Sequence, residues 1–376
     1  MRATRAIGAR TGYTEPVIDY ALDALFSSVT AAALRATIAS ELGALEALER
    51  FVERPGRPAV RYAPVPLVAI VSSRSTIGVA LPALAFALCA GSRVMVKDRS
   101  DGLIGAFAAS VRDERPDLGE RIEASAWDAR EGDAAARLAR ADTVVAYGRA
   151  LALAAIRAGL EPDARFVGYG PRTSIGYVAR TALADEAAAR AVARGAARDA
   201  LLYDGEGCLS PHALFVESGA PVTPRAFARL LGAAFDETAV EFPAGAPDLD
   251  ADAAAYRRAA LFRASQGTGD VFAGVVAPHL VAFDPPRDEP PPLLRRTLGV
   301  YPVDGPADAL AYIARHALPL EAVGFAGPLD DEACAFAVAA GAARAAALGD
   351  LQRPPLGGDH GGAGRILPFV RAIYRG

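Results

Sequence analysis

Short, almost continuous apolar runs recur through the first half of the chain. Leu67-Val-Ala-Ile-Val71, Val94-Met-Val-Lys97 and Thr143-Val-Val-Ala-Tyr147 have no polar alternation, as expected of parallel strands covered on both faces. Ile122–Ala126 and Ala164–Gly168 read as two further strands. Between them lie segments with helical character: Ile77–Ala90 with Pro82 near its first turn and Gly91 as its stop, Gly102–Arg112, Ala134–Arg140 and Arg149–Gly159. This rhythm predicts βαβ units and a doubly wound α/β domain. Residues 14–53 read as helices, opened by Glu15-Pro16 and continued by an amphipathic stretch from Leu34 to Phe51. The Pro- and Arg-rich segment Glu53–Pro66 leads from them into the first strand.

A second α/β unit follows. It starts with a helix over Asp185–Tyr203, with Arg190, Arg194 and Arg198 on one stripe, and a strand over His212–Glu217. Helices are expected over Pro224–Phe235, Ala251–Ser265, Ala307–His316 and Asp331–Ala347, with a short strand at Ala322–Phe325 and a proline-rich linker at 285–292. No G-x-G-x-x-G fingerprint is present, so motif alone does not mark a dinucleotide fold.

Between the long helix and the strand lies Asp204-Gly-Glu-Gly-Cys208-Leu-Ser-Pro-His212. An isolated cysteine is most often a small buried hydrophobe. Here the flanking glycines allow a sharp turn and bring main-chain N–H groups close to anything Cys208 attacks. A thiolate attacks a thioester or an aldehyde with modest activation, so Cys208 is a candidate nucleophile. His212 is separated from it by Pro211 and reads as the start of the strand.

Composition narrows the function classes. With 376 residues, 52% of them hydrophobic, the chain is long enough for two globular domains. A net charge of −4 gives no basic footprint for nucleic acid. Three widely spaced cysteines, Cys89, Cys208 and Cys334, suit neither a disulfide framework nor a zinc site and point to a reducing compartment. Arg2 and Arg5 precede no apolar core of a signal peptide, and the most apolar window, about fourteen residues, is too short to span a bilayer. A cytoplasmic protein without a membrane span is expected.

Five segments together resemble the acyl-CoA reductase (LuxC-like) branch of the aldehyde dehydrogenase superfamily, typified by the fatty-acid reductase of bacterial bioluminescence. They are residues 64–97, VGYGPRTSIGYV (167–178), YDGEGCLSPHALFVE (203–217), RRTLGVYPVD (295–304) and GGDHGGAGRILPFVR (357–371). Their order and approximate spacing hold over residues 14–376, although the chain looks short at its N-terminus for this branch, as if an arm were missing. The resemblance implies an aldehyde dehydrogenase-like α/β fold with two domains and a cleft between them. Residues 1–178 would form a cofactor-binding domain with a helical N-terminus, residues 179–348 a catalytic domain carrying Cys208, and residues 349–376 a return segment. A homo-oligomer is compatible with it.

The resemblance also implies a reaction. An acyl-CoA or acyl-carrier thioester acylates Cys208, and a nicotinamide cofactor then reduces the thioacyl enzyme to an aldehyde. Lys97 falls where the family sets a lysine against the adenosine ribose, and Gly148 where pyrophosphate meets a helix N-terminus. Arg99 and Ser100 replace the ribose-binding glutamate region of NAD-using relatives, which favours NADPH over NADH. Hydrolytic relatives carry a general-base glutamate where Gly168 or Tyr169 stands here, and another, which holds the nicotinamide ribose, where Arg296 stands. Pro64 replaces an asparagine that contributes to the oxyanion hole in the branch. Two alternatives share these residues: a CoA-acylating aldehyde dehydrogenase running oxidatively, and a catalytically impaired binding subunit.

Overall fold

In the computed structural model of the chain, residues 7–9, 11–73, 75–98, 102–125, 134–246, 250, 253, 269–274, 278–285 and 289–376 are described. The early helical stretch resolves into α1 (Glu15–Ser28) and α2 (Ala31–Leu42), followed by a 3-10 turn at Leu45–Leu48. Among the described residues no single helix is long and apolar enough to cross a membrane; α1 and α2 reach that length only jointly, across a 57° bend. The Pro- and Arg-rich segment is not a connector. It forms β1 (Val52–Arg54) and β2 (Arg57–Pro64), an antiparallel pair.

The apolar runs then form a parallel sheet. Its strands are β3 (Leu67–Val71), β4 (Arg93–Lys97), β5 (Ile122–Ser125), β6 (Thr143–Tyr147) and β7 (Arg165–Tyr169). Every pairing in it is parallel, in the order β5-β4-β3-β6-β7. Helices α3 (Ala80–Ala90), α4 (Leu103–Glu114), α5 (Ala134–Ala139) and α6 (Ala150–Ala158) lie between the strands in sequence. Helix α3 starts three residues later than its apolar pattern suggests, because Gly78 turns the chain at φ 71°. From β3 the chain winds outward to β4 and β5, then crosses to the other side of β3 to lay down β6. The switch point between β3 and β6 is where open α/β sheets hold ligands, at the carboxyl ends of their strands.

The second unit has a seven-stranded sheet. Its strands are β8 (Thr173–Val178), β9 (Pro211–Glu217), β10 (Asp270–Ala273), β11 (Leu280–Phe283), β12 (Thr297–Val303), β13 (Leu320–Ala326) and β14 (Arg344–Ala347). They are ordered β10-β11-β12-β9-β8-β13-β14, with only β10 antiparallel to its neighbour. Helices α7 (Glu186–Leu201) and α8 (Pro224–Glu241) cover one face. Each is capped by a side-chain oxygen, Asp185 accepting from Ala188 N–H and Thr223 from Ala226 N–H. Five small alanines of α7, from Ala189 to Ala200, pack against Phe227, Leu231 and Phe235 of α8 and the strands below. Helices α9 (Pro306–Arg315) and α10 (Asp331–Ala339) cover the other face through Tyr312, Ile313 and Phe336.

The helix expected to run to residue 347 ends at Ala339. Gly341 takes a left-handed φ of 70° and Arg344–Ala347 pairs with β13. Alanine favours helix only by propensity, and the parallel ladder outweighs that here. The expected helix over Ala251–Ser265 lies outside the described residues, except Ala253, which is helical. The rest of the chain returns to the first unit as β15 (Val370–Arg375), antiparallel to β2. The RILPF segment is a clamp for that return. The Glu41 carboxylate accepts from the N–H groups of Arg365, Ile366 and Leu367 at 2.6, 3.0 and 3.2 Å, and Thr143 Oγ1 donates to Pro368 O at 3.0 Å.

The chain accordingly divides into two compact units, Met1–Pro171 with Pro355–Gly376, and Arg172–Pro354. Strand β8, within 1–178, is hydrogen-bonded into the sheet of the second unit.

Candidate functional site

Helix α7 runs out at Leu201, two residues before its expected end, and Tyr203 and Asp204 both take a left-handed φ of 54°. Two consecutive non-glycine residues in that region need outside support. It comes from the loop before β12. The Asp204 carboxylate accepts from Arg296 Nη1 at 2.8 Å, from Arg295 Nη2 at 2.5 Å and from Gly245 N–H at 3.2 Å, and the Asp204 carbonyl accepts from Arg296 N–H at 2.9 Å. Arg296 is itself buried at φ 48°. Its guanidinium therefore anchors the turn that leads to Cys208, which is the work the sequence left open for it. Gly205 then turns at φ 77°, where a Cβ would come within 3.2 Å of both Ala200 O and Arg296 N.

Cys208 follows on a partly buried turn at the amino-terminal edge of the seven-stranded sheet. Ser174 Oγ, at the start of β8, donates to the Cys208 carbonyl at 2.9 Å. Ser210 closes the turn through its N–H to Gly207 O at 2.9 Å. The thiol is not the ready thiolate that the glycine-rich setting suggested. Burial, then the Glu321 carboxylate, push its pKa up to about 12, and Arg172 only partly opposes them. Cys89 and Cys334 are solvent-exposed, although Cys89 belongs to the apolar helix α3.

Two β-bulges flank this turn. In β13, Leu320 pairs with Thr173 and Ala322 with Ser174, so Glu321 is the extra residue. In β9, Pro211 pairs with Ser174 and Ala213 with Ile175, so His212 is the extra residue. Burial lowers the pKa of His212 to about 4, against a hydrogen bond to the Gly205 backbone, which keeps the ring neutral and agrees with a structural role. Glu321 was missed by the sequence reading. The signal available was a lone charge within the apolar run Leu318–Phe325.

In the first unit, Lys97 ends β4 and Gly148 follows β6, both at the carboxyl edge of the parallel sheet. Lys97 is buried. At Gly148 a Cβ would meet only Ala152 Cβ, at 3.9 Å, so the backbone there is open to close approach. Arg149, the N-cap of α6, gives no side-chain hydrogen bond to that helix. An uncapped helix start beside a switch point fits a nucleotide pyrophosphate. Arg99 and Ser100 lie outside the described residues. Asp98, passed over in the sequence, spends Oδ2 on the N–H groups of Gly102 and Ile104 at the start of α4, both at 3.1 Å. Tyr169, at the end of β7, stacks on Tyr147 at 4.8 Å and on His360 at 4.0 Å between ring centroids. His360 thus reaches this carboxyl edge rather than only closing its own turn. No carboxylate stands at Gly168 or Tyr169. Pro64 pairs with Val370 in the small sheet. Among the described residues no group of three or more His, Cys, Asp or Glu side chains is arranged to hold a metal ion.

A family model, acyl-CoA reductase (LuxC), matches residues 1–372. The chain belongs to that family. It is therefore an oxidoreductase, and reduction of an acyl group to an aldehyde is its reaction class. No curated protein matches it. Solved structures show an aldehyde dehydrogenase-like fold. An NAD-dependent benzaldehyde dehydrogenase from Corynebacterium glutamicum superposes with a TM-score of 0.65 at 16% identity, covering 100% of this chain and 82% of that one. An aldehyde dehydrogenase from Brucella melitensis biovar abortus 2308 gives 0.67 at 15% identity, with coverage of 99% and 80%. A mutant of aldehyde dehydrogenase C from Pseudomonas syringae, in complex with NAD+ and octanal, gives 0.64 at 14% identity, with coverage of 99% and 79%.

Proposed function

We propose that this acyl-CoA reductase takes its acyl group from a thioester, acyl-CoA or an acyl carrier, onto Cys208 and reduces it to the aldehyde with NADPH. The observation that carries the reading is the Cys208 turn. It joins a half-buried thiol, glycines on its amino side and a carbonyl fixed by Ser174. Attack by Cys208 Sγ forms a new thioester and releases the carrier thiol, and the Cys208 N–H is the candidate donor to the developing oxyanion. A bound nicotinamide supplies the hydride. Gly168 and Tyr169 offer no base to activate water, so the acyl-enzyme should persist long enough to be reduced.

The test is acyl loading without cofactor. Mixing the enzyme with an acyl-CoA should release one CoA per chain and leave an acyl mass increment that maps to Cys208. Because Cys89 and Cys334 are exposed, the site must be mapped by peptide and not inferred from mass alone. Cys208→Ser should abolish the adduct, since a hydroxyl without a strong base is almost wholly protonated near neutral pH. Loading that survives this substitution would remove Cys208 from the mechanism.

NADPH is favoured because Ser100, three residues beyond Lys97, stands where NAD-using relatives carry a glutamate, and Arg99 beside it adds a guanidinium suited to a 2′-phosphate. The nearest carboxylate in sequence, Asp98, is turned toward α4. Titration calorimetry should show NADPH binding tighter than NADH by about 1–3 kcal/mol, with Arg99→Ala erasing most of the gap. Equal affinities in the native chain would show that this position does not select the cofactor.

A further inference from the structure

Burial and the Glu321 carboxylate both raise the Cys208 pKa, so the resting thiol holds its proton at neutral pH and is a poor nucleophile. Attack on a thioester then needs a group that accepts the proton as the new bond forms. His212 is tied to the Gly205 backbone. Asp204 is held by two arginines. The charged groups that act on Cys208 are Glu321 and Arg172.

Glu321 has the placement of a working residue. It is the bulged residue of β13, and bulges next to active sites re-aim a side chain that regular pleating would send elsewhere. The strand it interrupts pairs with β8 at Ser174, whose hydroxyl holds the Cys208 carbonyl. It is buried in a strand whose other residues, Leu320 and Ala322–Ala326, are also buried and apolar or glycine. A carboxylate there is costly unless its charge is compensated. Arg172 supplies that charge, with Nε 3.6 Å from Glu321 Oε2 and Nη1 donating to Leu320 O at 3.0 Å. Arg344, on the adjacent β14, is a second cation within its field. At 3.6 Å the Arg172 contact is an ion pair longer than a hydrogen bond, which leaves Glu321 Oε2 a lone pair for a proton.

We propose that Glu321 is the acid–base residue of the acyl-transfer step, taking the Cys208 proton and returning it to the departing thiol. The Sγ–H bond breaks toward a Glu321 oxygen while Sγ bonds to the thioester carbon. The carbon–sulfur bond to the carrier then breaks, and the same proton moves to the carrier sulfur. One thioester replaces another and no electrons are gained or lost. This rests on the Cys208 reading given above.

The experiment sets two rates against each other in the full-length enzyme without cofactor: iodoacetamide alkylation of Cys208 and acyl loading from an acyl-CoA. Removing a neighbouring negative charge lowers the thiol pKa, so a carboxylate that only repels the thiolate predicts that Glu321→Gln speeds both. The proposal predicts opposite signs, with faster alkylation but loading slower by about 100-fold or more. Glu321→Asp keeps the charge but withdraws it by one methylene. Its alkylation should stay near the native rate while loading falls about 10- to 100-fold. This second variant decides the matter if Glu321→Gln fails to fold. Loading by Glu321→Gln at or above the native rate, or by Glu321→Asp at the native rate, overturns the proposal. Acyl groups that map away from Cys208 in the native enzyme overturn the proposed function as well, so the two failures are told apart.

Discussion

Asp204→Asn should lower the unfolding free energy by about 3–5 kcal/mol, the cost of leaving a buried arginine without its counter-charge. Arg296 is buried, Arg295 is half-buried, and both end on this one carboxylate. Asparagine keeps the left-handed backbone that Asp204 holds at φ 54°, so the loss reports the charge rather than strain. Asp204→Ala should lose about 1–2 kcal/mol more, because alanine resists that conformation. Asp204→Asn combined with Arg296→Met should recover part of the loss, since it also removes the buried guanidinium that Asp204→Asn leaves unpaired. Urea unfolding followed by circular dichroism measures all three. An Asp204→Asn midpoint within error of the native chain would mean that water reaches this cluster and the ion pair is not what holds the turn. Cys208 lies four residues on from Asp204, so a loosened turn should also slow acyl loading in proteins that are still folded.

That cluster also marks the limit of what the sequence reveals. Strands β3, β4 and β6 were legible because burial on both faces leaves an uninterrupted apolar run, which few other settings produce. Strand β9 and the turn before it were legible because glycines around a cysteine are unusual in a packed core. Strand β2 was not, since Arg57, Pro58, Arg61 and Pro64 look like a linker. What makes them a strand is pairing with β15, for example Ala59 with Arg375, and no local pattern encodes a partner so distant. The same holds within the site. Cys208 announces itself by its neighbours in sequence, whereas Glu321, Arg296 and Asp204 are single charges whose meaning depends on residues far along the chain. Arg296 was recognised only as something other than a glutamate. Its burial against Asp204 is a fact of three dimensions.

The second large effect is a dependence of stability on pH set by Asp199. This residue sits on α7, fully buried, with Oδ2 accepting from Gly349 N–H at 2.6 Å. Burial pushes its pKa up to about 7, while backbone N–H groups of Gly349, Leu351 and Gln352 pull it back only in part. Its ordinary value, which the unfolded chain would show, is 3.8. The folded state therefore binds the proton more tightly than the unfolded state does. The stability from that proton is fully present below pH ~4, falls as the pH rises toward ~7, and is gone above it. The difference of roughly three pKa units corresponds to about 4 kcal/mol. Asp199→Asn imitates the protonated side chain, keeps an acceptor for Gly349 and never ionises. Near pH 5 it should be about as stable as the native chain, and at pH 8.5 more stable by about 3 kcal/mol. Gln352 Nε2 donates both to the Asp199 carbonyl at 2.7 Å and to Ser210 Oγ at 3.0 Å, two residues beyond Cys208. Urea midpoints of the two proteins at both pH values decide it. Parallel midpoints, with no gap opening above pH 7, would show that Asp199 stays ionised throughout and that burial is not what governs its proton.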